Sequence, residues 1–215
     1  MLTFTVRCAN THVQTSTLAD MTAYQGSAKD AQGNTVPLPF VNQKRRFKVR
    51  IKNFYPPDLI DFAQYLDPPT QPSESTQSVS EPVFSPRNWQ WDFFLEIEDA
   101  STPRSLSAGG SADEAPKSMW VHVRDDNAQF LLKLDAVDLR KDGKMLHQLR
   151  EKLFLLWGNV EEIVTGQAGE GVEASNQPFE CCVAEYGVEV DVQDRRVRGQ
   201  REWIRVFEMF GVTID

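Results

Sequence analysis

The stretch Lys117 to Gly158, KSMWVHVRDDNAQFLLKLDAVDLRKDGKMLHQLREKLFLLWG, decides the reading of the fold. Its opening residues alternate. Met119, Val121 and Val123 fall on one face and Trp120, His122 and Arg124 on the other, the period of two that marks a half-buried strand. One face is core; the other is aromatic and basic. The period then changes. Asp125 or Asp126 is placed to cap a short helix through Leu134, and from Lys144 to Trp157 the residues Met145, Leu146, Leu149, Leu153, Leu156 and Trp157 recur at helical spacing. The second helix is therefore expected to lie against a core.

Two strands are legible before this stretch. In Arg46 to Phe54, Phe47, Val49 and Ile51 point one way and Arg46, Lys48, Arg50 and Lys52 the other, and the run ends at Pro56-Pro57. In Trp89 to Glu98, WQWDFFLEIE, the residues Trp89, Trp91, Phe93, Leu95 and Ile97 form an apolar face, with Gln90, Asp92, Phe94, Glu96 and Glu98 opposite. Asp58 to Leu66 reads as a short helix after the prolines. Pro68 to Pro86 and Ser101 to Pro116 read as loops rich in Pro, Ser and Gly or Gln. After the helices, Gly166 to Gln177 reads as a flexible connection. Phe179 to Val192 and Trp203 to Ile214 then read as one or two strands each, joined by a basic turn, Asp194 to Arg201. Residues 1–43 are mostly polar, with a one-turn helix around Thr17 to Met21, and are expected to form an arm on the barrel.

Three strands, a helical segment and two more strands is the order of an OB fold, a five-stranded Greek-key barrel with its helix between strands three and four. The expected class is thus mainly β: one OB domain over residues 44–215, with long insertions near 67–88, 101–117 and 165–177. An SH3-like barrel lacks the long helix at this point, and a parallel α/β sheet needs helices between most strands.

Composition narrows the setting. The chain has 215 residues, 40% hydrophobic and 25% charged, enough to bury a real core. Cys8, Cys181 and Cys182 are odd in number and include an adjacent pair, which favours a reducing intracellular setting over a disulfide framework. No apolar run approaches the roughly 20 residues of a membrane span, and the N-terminal residues lack the pattern of a signal peptide. They read instead like the middle of a longer chain. The net charge of -8 argues against a general nucleic-acid binder, but the charge is uneven. Lys44 to Tyr55 holds six basic residues and no acid, whereas Gly158 to Val192 holds eight acids and no Lys or Arg.

OB barrels bind on the outer face of strands two and three, between the loops joining strands one to two and four to five. Those places here carry Lys48, Arg50 and Lys52 on strand one, Phe94 on strand two, and Trp120, His122 and Arg124 on strand three. Cations alternate with flat rings. A nucleic-acid single strand exposes both phosphates and base faces, and each stacked base contributes about 1–3 kcal/mol. Arg195, Arg196, Arg198 and Arg201, with Trp203 and Arg205, add a basic and aromatic edge. Alternatives stay open: Trp120 could pack beneath the arm, a bulge could turn Phe94 into the core, and the strand-one cations could simply be solvated. Tyr55, beside Pro56, is either a stacking ring or a plug at the barrel end. Asp92 and Glu96 oppose phosphate but can accept from guanine's exocyclic amine.

Enzyme signatures are missing from the sequence. His12, His122 and His147 are scattered outside any H-E-x-x-H, C-x-x-C or G-x-S-x-G pattern, and GQAGEG at Gly166 to Gly171 lacks the strand and lysine of a phosphate loop. The reading is a protein without catalysis, metal or cofactor.

The runs FKVRIKNFYPPDLIDFAQYL, WQWDFFLEIEDA, MWVHVRDDNAQFLLKLDAVDLRKD and LFLLWGNVEE, with HVQTSTLADM before them, together resemble fungal protection of telomeres proteins, in their second OB domain. The likeness extends over roughly Thr11 to Ile214. It implies a nuclear protein at the chromosome telomere. Its partner would be G-rich telomeric single-stranded DNA, bound beside a preceding OB domain to cap the 3' overhang. It implies further capping proteins as partners through other parts of a parent chain, and a monomeric domain. By resemblance the strand path falls on Phe94, Trp120, His122, Arg124 and the neighbourhood of Trp203. The acidic balance and the Pro-Ser insertion depart from a compact basic binder, leaving a protein-interaction OB module, or a sequence-indifferent single-strand binder, as the other readings.

Overall fold

A computed structural model describes residues 5–23, 25–66, 89–100, 118–191 and 201–215. The expected insertions at 67–88 and 101–117 and the turn bearing Arg195, Arg196 and Arg198 lie outside the described residues. In chain order the elements are β1 (Val6–Cys8), α1 (Leu18–Ala23), β2 (Ser27–Lys29), β3 (Thr35–Pro37), β4 (Lys44–Tyr55), a 3-10 turn (Leu59–Asp61) and β5 (Ala63–Tyr65). They continue as β6 (Trp89–Asp99), β7 (Ser118–Arg124), α2 (Asp125–Leu132), α3 (Gly143–Trp157), α4 (Val160–Val164), β8 (Phe179–Asp191), β9 (Arg201–Phe210) and β10 (Val212–Ile214).

The alternation read in the sequence becomes the two sides of a near-closed ring. β4 pairs antiparallel with both β6 and β8, β6 with β7, and β8 with β9. The ring closes through a parallel contact of β7 with β9 at His122 and Glu208. Counting only ring strands, the order around it is first, second, third, fifth, fourth, the OB-like arrangement, with the helices between the third and fourth. Phe47, Val49, Ile51, Phe93, Leu95, Ile97, Val121 and Val123 fill the interior. Burying each large side chain contributes roughly 1.5–3 kcal/mol.

α3 closes one end of the ring. Asp142 accepts the Met145 amide at 2.9 Å and starts the helix, and Leu149, Leu153, Leu156 and Trp157 form its buried face. Trp157 stacks on Phe54 with centroids 4.7 Å apart. The helix stops at Gly158, whose φ of 61° and whose closeness to Ser175 and Asn176 leave no room for a side chain. Phe62, from the segment after β4, stacks on Phe93 at 4.4 Å and completes the plug.

Several expectations are corrected. Asp58 to Leu66 is not a helix throughout. Asp58 caps a single 3-10 turn, and Ala63–Tyr65 then adds β5 to the edge of β6, with Tyr65 opposite Trp89. Neither Asp125 nor Asp126 caps α2; the cap position is Arg124, without a side-chain bond, and Asp125 takes a φ of 48°. The alternation of β4 breaks at a register shift between Ile51 and Asn53, which turns Phe54 inward. Asn176 donates to the Ile51 carbonyl there at 2.6 Å, so this end of the 165–177 connection is buried against the barrel.

The N-terminal segment lies on the ring. β1 pairs with β10, the Ser16 amide donates to the Arg46 carbonyl at 2.9 Å, and α1 buries Leu18 and Met21. Thr17 caps α1, its hydroxyl accepting the Asp20 amide at 3.1 Å.

Candidate nucleic-acid interface

Because β6 keeps its alternation without a bulge, Phe94 stands on the outer face, and the pairing with β7 sets three side-chain pairs there: Asp92 with Arg124, Phe94 with His122, and Glu96 with Trp120. Phe94 and His122 lie flat on each other, centroids 4.4 Å apart and planes 8° from parallel. His122 Nε2 bonds Asp92 Oδ1, which fixes the imidazole against rotation. On its other side Phe94 pairs with Tyr55, whose side chain ends β4 and is 60% exposed. Trp120 is 43% exposed and not beneath the arm. A row of rings thus crosses β4, β6 and β7, with Glu208 of β9 continuing it.

The charges on this face largely answer one another. Lys52 pairs with Glu96 at 2.7 Å, and Glu96 also accepts from the Ser118 hydroxyl at 2.7 Å. Arg124 sits 3.6 Å from Glu208 and 3.8 Å from Asp125, with its guanidinium 5.8 Å from the centre of the Tyr186 ring. Burial, ahead of the neighbouring charges, raises the Tyr186 hydroxyl above its ordinary range, so it stays a neutral donor. Lys48 is exposed beside this face, and Arg50 is half buried. Phosphates reaching this surface meet positive charge already paired with carboxylates, which weakens the purely electrostatic part of binding.

Beyond Phe94 the face drops into a cleft of about 420 Å³ between the end of β4, β5 and the start of β6. Tyr55, Tyr65, Trp89 and Phe94 supply rings, and Asp92, Gln64 and an Arg140–Asp61 ion pair supply polar groups. Tyr65 is held edge-on to Trp89 at 5.6 Å. Tyr65, Gln64, Arg140 and Tyr186 were not legible as site residues. Tyr65 and Gln64 depend on β5 being a strand, Arg140 on the path between α2 and α3, and Tyr186 on the pairing of β8 with β9.

Other expected site residues are placed elsewhere. Trp203 and Arg205 share the face of β9 that carries core Met209, opposite to Glu208. Trp203 leans on Phe40 of the N-terminal segment, centroids 5.3 Å apart. Arg205 grips buried Glu185 at 2.8 and 3.1 Å and donates to the Thr22 carbonyl at 2.9 Å and to that of Met21. The reason is that α1 ends over this face with its carbonyls unpaired, so the guanidinium is spent on fixing the arm. Arg201 pairs with Glu189 at 3.0 Å, and Arg198 lies outside the described residues. Burial pushes the Cys182 thiol up to about 12 and raises Cys181 well above its usual value, so both are protonated and poor nucleophiles near neutrality.

The described strands form an OB-like ring with a stacked aromatic pair on its outer face. No family model matches the chain. It is 26% identical over 132 residues, 60% of its length, to Protection of telomeres protein 1 of Schizosaccharomyces pombe, and spans 18% of that relative. A chain in the crystal structure of fission yeast Pot1 and Tpz1 resembles it in fold with a TM-score of 0.59 at 21% identity, over 100% of this chain and 99% of that one. In sequence and fold, then, the chain is similar to fission yeast Pot1.

Proposed function

We propose that this barrel is a non-catalytic telomeric module that binds G-rich single-stranded DNA on the outer face of β6 and β7, protecting the chromosome 3' overhang in the nucleus as one OB domain of a longer parent. The observation that carries the reading is the Phe94–His122 stack, flanked by Tyr55 and Trp120, on the face OB barrels use for oligonucleotides. The exposed rings of Tyr55 and Trp120 suit unpaired bases, whereas a duplex hides base faces. Phosphate would be met chiefly by Lys48, Arg50 and Lys52, and because Lys52 is already paired, affinity should depend only shallowly on salt. The test is fluorescence anisotropy with a G-rich telomeric strand, its scrambled sequence and its duplex at two salt concentrations. Preference for the G-rich strand with a shallow slope supports the reading; equal affinity for duplex removes it.

A second reading, a protein-docking barrel of a telomere complex, is favoured by a different surface. Phe154 and Leu155 of α3, exposed by 55% and 38%, line a groove of about 610 Å³. The similar solved chain comes from a structure holding Tpz1 beside Pot1. On this reading Phe154→Ala abolishes capture of a telomere-complex protein while DNA affinity is negligible from the outset.

A further inference from the structure

The chain has three cysteines, and the fold brings together two that lie far apart in sequence. Cys8 of β1 and Cys182 of β8, separated by 174 positions, hold their sulfurs 3.4 Å apart. The thiols are therefore in contact, and a disulfide asks them to close to about 2.05 Å. The backbone sets which side can give. β8 is hydrogen-bonded along both edges, to β4 and to β9, which holds Cys182 in place. β1 has three residues and, among the described strands, pairs with β10 alone, Cys8 standing opposite Val212. Alternation along β8 keeps Cys181 out of the pair: it lies opposite Phe47 and is buried in the core, whereas Cys182 lies opposite Arg46 and meets the N-terminal segment.

The two thiols are not equivalent. Cys8 is partly exposed, while Cys182 is buried and its thiol turns toward the Asn10 carbonyl at 3.7 Å. Burial, and after it the Cys8 sulfur, raises the Cys182 thiol, and the charge of Arg46 works in the opposite sense. A small oxidant arriving from solvent therefore meets Cys8 first, and Cys182 follows as the resolving thiol.

We infer that Cys8 and Cys182 are a redox-sensitive modification site, forming under peroxide a reversible disulfide that staples the N-terminal segment to β8. In the first step the ionised Cys8 sulfur attacks a peroxide oxygen and the O–O bond breaks. Hydroxide leaves, takes up the thiol's proton as water, and Cys8 becomes a sulfenic acid. In the second the Cys182 sulfur gives up its proton and attacks the Cys8 sulfur, the S–O bond breaks, and a second water departs. Two thiols lose two electrons and two protons, and one peroxide becomes two waters. The second step is slow because Cys182 rests protonated. With the bond in place β1 cannot leave β8 by local opening. The residues that follow it, where Ser16 bonds Arg46 and the end of α1 takes up Arg205, are then also held at their near end. The staple does not depend on what the outer face of β6 and β7 binds.

The experiment treats the full chain, reduced and then freed of reductant, with hydrogen peroxide and alkylates it during denaturation. Free thiols are expected to fall from three to one. Tandem mass spectrometry without reduction should find Cys8 joined to Cys182 and Cys181 alkylated. The oxidised chain should melt several degrees higher than the reduced one, because the bond closes a long loop, and dithiothreitol should reverse both changes. Cys182→Ala should leave Cys8 as a sulfenic acid that dimedone labels, and Cys181→Ala should still form the bond. Cys8→Ser, a change at a partly exposed position, keeps the test open if the buried variants do not fold: it should abolish the rise in melting temperature. Three free thiols after peroxide, sulfinic acid at Cys8 without a link, a bond through Cys181 or between two chains, or a rise that survives Cys8→Ser would each overturn the staple.

Discussion

The β6–β7 face and the β8–β9 ribbon carry the same kinds of residue in different surroundings. On β7, Trp120 and His122 stand on an outer surface that the N-terminal segment leaves uncovered, with Phe94 beside them. On β9, Trp203 and Arg205 meet that segment: Phe40 lies against the tryptophan, and the end of α1 takes up the arginine. Gly187 permits this, since any side chain there would overlap the Phe40 ring. Residue type alone does not say what surrounds such a side chain: Trp203 touches Phe40 yet stays 51% exposed, whereas Arg205 is tied into the fold.

The strongest way to break the comparison is Arg205→Ala. Glu185 is almost wholly buried, and stranding its charge should cost about 3–5 kcal/mol of stability in urea unfolding, with affinity per folded molecule unchanged. A loss of DNA affinity without loss of stability would move Arg205 back to the interface. Next comes Phe94→Ala, expected to weaken single-strand binding by about 1–3 kcal/mol at low and high salt alike, because a stacking surface rather than a charge is lost. Glu96→Gln sharpens the picture of a charge-balanced face: releasing Lys52 should steepen the salt dependence by about one phosphate contact, read from log affinity against log salt. The smallest effect is a pH dependence at the arm. Hydrogen bonds from Lys133 and then Arg7 hold the Asp215 carboxyl below its ordinary value. Its contribution is therefore complete above the usual carboxylate range and is lost as pH falls through the lowered value. Asp215→Asn should flatten that part of the melting-temperature profile in acid.

Much of the barrel could be read from the chain because its three early ring strands obey a strict period and α3 carries an unbroken apolar stripe. Phe47, Phe93 and Val121 are buried where alternation placed them, and Phe94, Trp120 and His122 face outward. Two kinds of information were not local. The bulge after Ile51 is stabilised by Asn176, which lies 125 residues away in sequence. β5 exists because Tyr65 pairs with Trp89, 24 residues on in sequence, and its short run of three residues carries no period of its own. The use of Arg205 depended likewise on a helix end supplied by the distant N-terminal segment. The cleft, built from these long-range pairings, was the part of the candidate site that the sequence could not show.

The most direct measurement is the affinity of a G-rich telomeric single strand for Phe94→Ala and Trp203→Ala, each confirmed folded and titrated beside wild type. The expected result is a loss for Phe94→Ala of about 1–3 kcal/mol and an unchanged affinity for Trp203→Ala. A loss confined to Trp203→Ala would place the strand on the β8–β9 ribbon and contradict the assignment of the β6–β7 face.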